Sequence, residues 1–387
     1  MSEITKVRVG LINVQNLDNF GAVLVAYSLE NAVKSLGAEV YTIDYRPQIR
    51  LPKCFRLPFS LKKKYVRYRI EGNGKKYYSA ISSDGHNRFE KFRNTYLNRT
   101  APVWGFFKQE DCPCDLYVVG SDVVWKPERV LTYEANIYCG LFNKGHNSRL
   151  VSYAASIGTD DTKALKLAQN VYKKILHNFD AITVREESSA EYLQELTEKP
   201  VESICDPTFL LTVEMYEQIM AKPSITADEY ILFLCLGYNE EAALFCNQLS
   251  KRMKCPVVYG EQEKQRMILD NKLCTFANDG PAEFLYRIKH AKYVVTDSFH
   301  ATVFSLIFHK NFFVFGRETI SLRMISLLRK FGLERKFLIS NPNLDDVNLF
   351  DIDFNDVDRQ ITLMREDGLN FLNNQLGRKM NVDKNNR

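Results

Sequence analysis

A histidine at the start of an apolar stretch is the residue of this sequence best suited to acid–base chemistry. It ends the segment TDSFH, residues 296–300, which lies between the apolar runs KYVV and ATVFSLIF. Ser298 is a natural helix N-cap, which puts His300 in the first turn, at the positive end of the helix. This position favours a neutral base, and the free N–H groups beside it suit an anion. We predict that His300 is catalytic; a purely structural histidine is the alternative.

An arginine in the segment VRE, residues 184–186, is the second candidate. It follows the short apolar run AITV, so it should stand at the end of a strand. A guanidinium there can bind a phosphate or a carboxylate through two hydrogen bonds, and we predict that Arg185 contacts an anion. An ion pair with Glu186, Glu187 or Asp206 is the alternative. The segment DPT that begins at Asp206 is predicted to be a structural turn.

Three further segments place small or polar residues after predicted strands, where they suit a sugar hydroxyl or an anion. In NLDNFG, the glycine allows close backbone approach and the helix start offers N–H groups; the alternative is that the segment only caps the helix. In GSDVVW, a carboxylate can accept from hydroxyls and an indole can stack on a pyranose; the alternative is a core tryptophan beside a turn aspartate. In SYAASIG, small residues leave room for a ligand or allow close sheet packing. The predicted acceptor-binding residues are Asn19, Gly21, Ser121, Asp122, Trp125 and Ser156.

These segments need a framework of alternating strands and helices to position them. VRVGLINV and AEVYTIDY flank a stretch with helical spacing, which makes one βαβ unit and predicts a parallel sheet. The alternation resumes after a basic insertion and starts again beyond the polar linker 221–228. We predict an α/β fold of two Rossmann-like lobes facing a cleft, with ligands at the carboxyl ends of the strands. The predicted divisions are 1–222, 228–350, and a helix with a polar tail over 351–387.

The basic insertion covers about residues 50–100 of the first lobe. It holds fourteen Lys or Arg against three acids, interleaved with Tyr and Phe. One interpretation is a solvated helical insertion. The other is a flap over a charged acceptor, or a patch that faces anionic lipid.

Composition and charge argue against several classes of function. A formal net charge of +5 over 387 residues does not argue for a nucleic-acid binder. The nine cysteines are scattered, and Cys112 and Cys114 are too close together for the usual zinc half-site, so no metal is predicted. Neither a signal peptide nor an apolar run of about 18 residues is recognisable. We therefore expect a cytoplasmic protein, and the basic insertion extends that expectation to contact with a membrane surface.

Taken in order, these segments resemble the polysaccharide pyruvyl transferase family. The matching stretches are NFGAVLVAYSLENAVKSLG, VVGSDVVW, VSYAASIG, ITVREESS, CDPTFLL, VTDSFHATVFSLIFHKNFFVF and SLRMISLLRKFGL. They span about residues 8–335. Each stretch alone is weak evidence for the family, but seven of them in register are specific to it. The resemblance implies a two-lobed fold similar to GT-B glycosyltransferases. It also implies transfer of a pyruvyl group from phosphoenolpyruvate to a sugar, giving a ketal on a cell-surface polysaccharide unit that is often lipid-linked.

The resemblance also implies roles for single residues. His300 matches the family histidine at the donor site, and Arg185 matches an arginine that looks like a donor-anion contact. Members of the family often have an arginine two positions before that histidine, where this chain has Ser298. The N–H groups at Ser298 can still bind the donor, and the missing cation is expected from Arg323 or Arg317. No cofactor is implied, since phosphoenolpyruvate is the donor substrate.

The implied reaction needs a general acid and base, a role that His300 would fill. Two other functions stay open. One is a nucleotide-sugar glycosyltransferase on the same fold, and the other is a non-catalytic, saccharide-binding member of a polysaccharide assembly pathway. No pattern in the sequence identifies the acceptor sugar, the ring positions that are bridged or the oligomeric state.

Overall fold

Parallel β-sheets organise both halves of the chain. The computed structural model describes residues 6–47, 81–145, 147–260, 267–316, 321–338, 344 and 352–377. The strands of the first half are β1 (Arg8–Ile12), β2 (Glu39–Thr42), β3 (Tyr45–Arg46), β4 (Val103–Trp104), β5 (Leu116–Gly120), β6 (Arg149–Tyr153), β7 (Ile182–Val184) and β8 (Val201–Ser203). Those of the second half are β9 (Ile231–Leu234), β10 (Val257–Tyr259), β11 (Lys272–Thr275), β12 (Tyr293–Thr296), β13 (Asn311–Phe315) and β14 (Phe337–Leu338).

The first sheet has the strand order β2-β1-β5-β6, and each neighbouring pair is parallel. Bridges from Val151 to Ala181 and from Ala155 to Val184 connect it to the parallel pair β7–β8. The second sheet has the order β11-β10-β9-β12-β13-β14, again parallel throughout. The predicted α/β architecture is therefore confirmed. Strand β11 was not predicted, because it lies at an edge, is half-exposed and lacks an apolar run.

Helices connect the strands and cover the sheets. Those of the first half are α1 (Phe20–Ser35), α2 (Ser83–Tyr96), α3 (Pro127–Val130), α4 (Ala135–Tyr138), α5 (Thr162–Asn178), α6 (Glu187–Gln194) and α7 (Val213–Glu217). Those that follow are α8 (Glu240–Met253), α9 (Pro281–His290), α10 (Phe299–Ile307), α11 (Ser321–Arg329) and α12 (Phe354–Gly377). Short 3₁₀ helices occur at Gln109–Asp111, Pro207–Leu210 and Glu334–Lys336.

Two apolar helices, α1 and α10, join the halves of the molecule. All nine residues of α10 are buried, as is most of α1. A single hydrophobic cluster contains residues of α1, α9 and α10, and the rings of Phe20 and Phe284 stack 4.6 Å apart within it. Because both helices are covered on all sides, their sequences are apolar around the whole helix rather than on one face. The starts of α1 and α10 are thereby fixed next to each other.

The last helix returns to the first half of the chain. It was predicted over 356–377 and is observed over Phe354–Gly377. The Arg365 guanidinium donates to the carbonyl oxygens of Phe209 and Leu211 at 3.1 and 3.0 Å. Helix α12 therefore packs on the first lobe, although it follows the second in sequence. The predicted polar tail, residues 378–387, lies outside the described residues.

The described part of the basic insertion contains α2 and is not uniformly solvated. Arg93 of this helix is fully buried and donates to the carbonyl oxygens of Gln15 and Leu17 at 2.7 and 2.6 Å. The solvated interpretation is therefore wrong for this arginine, since its charge anchors α2 to the loop after β1. The basic residues between positions 50 and 80 lie outside the described residues.

No helix within the described residues is long and apolar enough to cross a membrane. The same part of the chain contains no group of three or more His, Cys, Asp or Glu arranged to hold a metal ion.

Candidate active site

The carboxylate of Asp206 is the centre of the candidate site. It follows β8 and is 2% exposed. Its Oδ2 accepts hydrogen bonds from Ser121 Oγ and Arg185 Nη1, both at 3.0 Å. Its Oδ1 accepts from the backbone N–H and the hydroxyl of Thr208 at 3.1 and 2.8 Å. The carboxyl ends of β5, β7 and β8 therefore meet at one carboxylate.

Arg185 is buried, and part of its guanidinium has no partner. Its Nε donates to Glu186 Oε1 at 2.9 Å, and its planar group lies 4.1 Å from the centroid of the Phe299 ring. Nη2 is inaccessible to solvent and has no hydrogen-bond partner among the described residues. The predicted alternative of an ion pair with Glu186 and Asp206 is thus observed. It uses two of the three guanidinium nitrogens and leaves one donor group for a ligand.

His300 lies in the first turn of α10, as predicted, and faces Asp206. Ser298 caps this helix by accepting from the N–H of Ala301 at 3.4 Å. Nε2 of His300 lies 3.6 Å from Asp206 Oδ2, a distance that allows an ion pair with the protonated ring but exceeds a hydrogen bond. This nitrogen is buried and has no hydrogen-bond partner within the described chain. Asp206 therefore lies between Arg185 and His300, each of which has one nitrogen without a hydrogen-bond partner among the described residues.

The charges of the site are set by these neighbours. Burial would raise the pKa of the Asp206 carboxyl, but the adjacent His300 and Arg185 and the Thr208 N–H outweigh it and hold that pKa below its usual range. Burial would likewise lower the pKa of Arg185, but the carboxylates of Glu186 and Asp206 raise it. The site therefore contains an ionised carboxylate and a permanently charged guanidinium.

A cleft of about 340 Å³, counted to its open mouth, lies beside Arg185. Arg323 and Lys330, from α11 and the residue after it, line this cleft with Phe299. Arg323 also borders an adjoining recess of about 300 Å³ that contains Glu186. Arg323 therefore lines the same cleft as Arg185. There it would supply the positive charge that an arginine at position 298 often provides in the family that the sequence resembles. The other candidate for this role, Arg317, lies outside the described residues.

Most of the predicted acceptor residues position other groups. Ser121 and Ser156 are fully buried, and their hydroxyls donate to Asp206 and to Glu186 Oε1, the latter at 2.8 Å. Asn19 caps α1 by accepting from the N–H of Ala22 at 3.0 Å. Asp122 is half-buried and adopts a φ of 60°, which a turn aspartate tolerates. The structure therefore favours helix capping as the role of Asn19. The two serines orient the carboxylates of Asp206 and Glu186.

Trp125 requires a correction. The indole is 0% exposed, its N–H donates to the carbonyl of Tyr138 at 2.9 Å, and its ring meets Phe179 edge-on. No face of the ring is available to a pyranose, so the predicted sugar-stacking role is wrong. The sequence pattern could not separate the two alternatives, because a tryptophan after a strand suits a core and a sugar site equally well.

Gly21 is a site of close approach, but to a side chain of the protein. A Cβ at this position would lie 2.0 Å from Nδ1 of His300. The absence of a side chain at Gly21 therefore allows the starts of α1 and α10 to meet and holds the imidazole against the first lobe. A direct ligand contact, as predicted from the sequence, is not needed to explain this glycine.

We expect Gly21→Ala to lower kcat roughly a hundredfold, because the added methyl must displace the His300 ring, and a shift of about 1 Å at a reacting group has an effect of that order. The measurement is steady-state turnover beside a thermal unfolding midpoint. Gly377→Ala is the matched control, since a Cβ there meets no atom within 4 Å. Wild-type activity in Gly21→Ala would contradict the placement of His300.

Several residues of the site were not predicted to take part in it. Asp206 was assigned to a structural turn, and it does cap the 3₁₀ helix Pro207–Leu210, but it also pairs with Arg185. Phe299 and Lys330 carried no recognisable pattern. The signal in the sequence that pointed to a role for Glu186 and Asp206 in the site was their suitability as alternative ion-pair partners of Arg185.

Comparisons with known proteins identify the family and the fold of the chain. A family model described as polysaccharide pyruvyl transferase matches residues 19–319. A UDP-N-acetylglucosamine 2-epimerase structure from Rickettsia bellii aligns over 97% of this chain and 96% of its own, with a TM-score of 0.52 and 9% identity. A structure from Listeria monocytogenes, assigned as the same type of epimerase, aligns over 96% and 91% with a TM-score of 0.51 and 8% identity.

The glycosyltransferase SnogD from Streptomyces nogalater aligns over 97% of this chain and 99% of its own, with a TM-score of 0.47 and 10% identity. No curated protein gives a significant sequence match. At these identities the two epimerase structures show the fold alone, and the predicted class, two parallel-sheet lobes of GT-B type, is confirmed.

Proposed function

Because the chain belongs to the polysaccharide pyruvyl transferase family, we propose that phosphoenolpyruvate is its donor and that the product is a pyruvate ketal on a sugar. The acceptor in this proposal is a unit of a cell-surface polysaccharide or its lipid-linked precursor. The reaction would take place in the cytoplasm or at the surface of the membrane that carries a lipid-linked acceptor. No cofactor besides the two substrates forms part of the proposal.

The observation that carries this proposal is the pair of unpartnered polar atoms on either side of Asp206. Arg185 Nη2 and His300 Nε2 are both buried without a partner among the described residues. Buried polar atoms are nearly always hydrogen-bonded, and leaving one unpaired costs about 1–3 kcal/mol. A ligand with several acceptor oxygens would satisfy both atoms. Phosphoenolpyruvate has a phosphate and a carboxylate, and Arg323 and Lys330 line the adjoining cleft.

The residues can then be assigned to steps. His300, whose Nε2 lies 3.6 Å from the Asp206 carboxylate, acts as the general acid and delivers a proton to the methylene carbon of the donor. The resulting cationic carbon, C2, is attacked by one sugar hydroxyl, whose proton returns to the imidazole. Phosphate leaves with the electron pair of its C–O bond, held by Arg185 and Arg323. Loss of phosphate makes C2 cationic again; a second hydroxyl of the same sugar adds to it and gives its proton to the released phosphate, which closes the ketal.

The identity of the donor can be tested by ligand-induced stabilisation. Phosphoenolpyruvate at a hundred times its Kd should stabilise the protein by about 2.7 kcal/mol, and UDP-sugars should not. Release of phosphate should then depend on an added saccharide. Stabilisation by a nucleotide sugar but not by phosphoenolpyruvate would favour a glycosyltransferase. Saccharide binding without phosphate release would favour a non-catalytic member of the assembly pathway.

A further inference from the structure

Two buried amide side chains at the carboxyl end of β1 have polar atoms without partners. Asn13 is 4% exposed and Gln15 is 1% exposed. Neither Oδ1 nor Nδ2 of Asn13, nor Oε1 of Gln15, has a hydrogen-bond partner among the residues that the structure describes. The result for Asn13 does not depend on how its amide is oriented, since both atoms lack a partner.

The amide of Gln15 is held in a fixed orientation. Its Nε2 donates to Asp44 Oδ1 at 3.1 Å, and a carboxylate at that position can only accept. Asp44 is itself fixed by Arg46, whose Nη2 lies 2.9 Å from Oδ2. The unpartnered Oε1 of Gln15 is therefore a preset acceptor rather than a consequence of a freely rotating side chain.

Asn13 lies one strand away from the candidate active site, whereas the Gln15 amide faces Asp44, which follows β2 on the other side of β1. Ile12 pairs with Val119 of β5, so Asn13 and Gly120 are the next residues of two parallel strands that run about 5 Å apart. Ser121, which follows, donates to the central carboxylate of Asp206. Asn13 thus stands at the edge of the sheet where ligands of open α/β folds bind.

The side chain of Asn13 also lies on the face of the first sheet that carries α1 and α10. Ile12 and Val14 belong to one hydrophobic core, whereas Leu11 belongs to the core beneath α1 and α10. Because side chains alternate along a strand, Asn13 continues the face of Leu11. That face carries the start of α1, where Gly21 meets the imidazole of His300.

We propose that Asn13 and Gln15 bind hydroxyl groups of the acceptor saccharide. An amide offers one donor group and one acceptor, and a sugar hydroxyl can both donate and accept, so Asn13 can hold one hydroxyl by each of its atoms while Gln15 accepts from a third. Of the residues predicted for this role from the sequence, Ser121, Trp125 and Ser156 are fully buried in other contacts, whereas Asn13 and Gln15 keep unpartnered polar atoms just after β1. The assignment to an acceptor rests on the proposed function; the saccharide-binding chemistry does not.

The proposal is tested by direct saccharide binding, independent of turnover. Methyl glucoside, galactoside and mannoside are titrated into the full chain and followed by ligand-observed NMR. We expect the wild type to bind at least one of them and Asn13→Leu to bind it at least tenfold more weakly. Asn13→Leu should keep or raise the unfolding midpoint, because an apolar isostere removes two unpaired buried atoms. Asn13→Ala, which only shortens the side chain, should lose binding in the same way.

Asn247→Leu is the matched control, since this buried asparagine is fully paired: Nδ2 donates to Ile268 O at 2.6 Å and Oδ1 accepts from Asp270 N at 3.0 Å. It should lower the unfolding midpoint and leave saccharide binding unchanged. Three results would overturn the proposal. They are unaltered saccharide binding by the Asn13 variants, an unfolding midpoint of Asn13→Leu that falls as in Asn247→Leu, and no saccharide binding by the wild type. Saccharide binding that depends on Asn13, without turnover of phosphoenolpyruvate, would contradict the proposed reaction and leave this subsite standing.

Discussion

Replacement of His300 by alanine is expected to lower kcat by 10²–10⁴-fold, the usual contribution of a general acid–base group. The loss should appear in kcat more than in the KM for phosphoenolpyruvate, since Arg185 and Arg323 remain to bind the donor. Stability should fall only modestly, because alanine removes the contact with Asp206 that helps to lower the pKa of that carboxyl, while Nε2 has no hydrogen bond to lose within the described chain. The measurements are phosphate release under saturating donor and a thermal unfolding midpoint.

His309→Ala is the control for this variant. His309 lies on the surface, where Nε2 is 2.8 Å from Asp358 Oδ1, and it is not among the residues that line the cleft beside Arg185. It should retain wild-type turnover. Near-full activity in His300→Ala would show that the proton comes from another group. A large fall in the unfolding midpoint instead would mark His300 as a structural residue.

The second large effect is expected at Arg185, where charge and geometry can be separated. Arg185→Lys keeps a cation near Asp206 and Glu186 but loses the fork that leaves Nη2 for the donor. Hydrogen bonds to charged groups contribute about 1.5–3 kcal/mol, so KM for phosphoenolpyruvate should rise about 10- to 150-fold. The KM for the saccharide should stay close to its wild-type value.

Arg185→Met removes the charge and should also destabilise the fold by about 3–5 kcal/mol, because it leaves buried carboxylates without a counterion. The pKa of Asp206 would then rise. In the wild type this carboxylate stabilises the fold above the usual carboxyl pKa, and the contribution is lost as pH falls toward its lowered value. Acid unfolding of Arg185→Met should therefore begin at higher pH than that of the wild type.

Arg287→Met is the matched control, since Arg287 is equally buried and pairs with Asp279 at 2.8 Å in the second lobe. It should destabilise the protein by a similar amount and leave the KM for phosphoenolpyruvate unchanged in the folded fraction. If both arginine variants affect donor binding alike, Arg185 is only a structural ion pair.

Local patterns predicted much of the framework. The apolar runs gave most of the strands, and the caps at Asn19 and Ser298 marked the starts of α1 and α10. The helix predicted at 281–290 has those limits in the structure. These features depend on interactions within a few residues, which is why spacing and residue type suffice to find them.

The composition of the site depends on contacts that no local pattern records. The role of Asp206 emerges only when β5, β7 and β8 lie side by side, and the contact of Gly21 with His300 only when the two lobes meet. Burial separates Trp125 from a sugar site, and burial is a property of the packed fold. Sequence order could place Arg185 at a strand end and His300 at a helix start, but not the carboxylate between them.

The most direct test of the proposed reaction is the structure of the product. The full chain is incubated with phosphoenolpyruvate and a panel of lipid-linked or nitrophenyl saccharides in deuterated water, and the products are examined by mass spectrometry and NMR. We predict a saccharide that has gained one pyruvyl group as a ketal, with deuterium in its methyl group and one phosphate released per ketal. An unchanged saccharide beside intact phosphoenolpyruvate, or a saccharide extended by a sugar from a nucleotide donor, would contradict it.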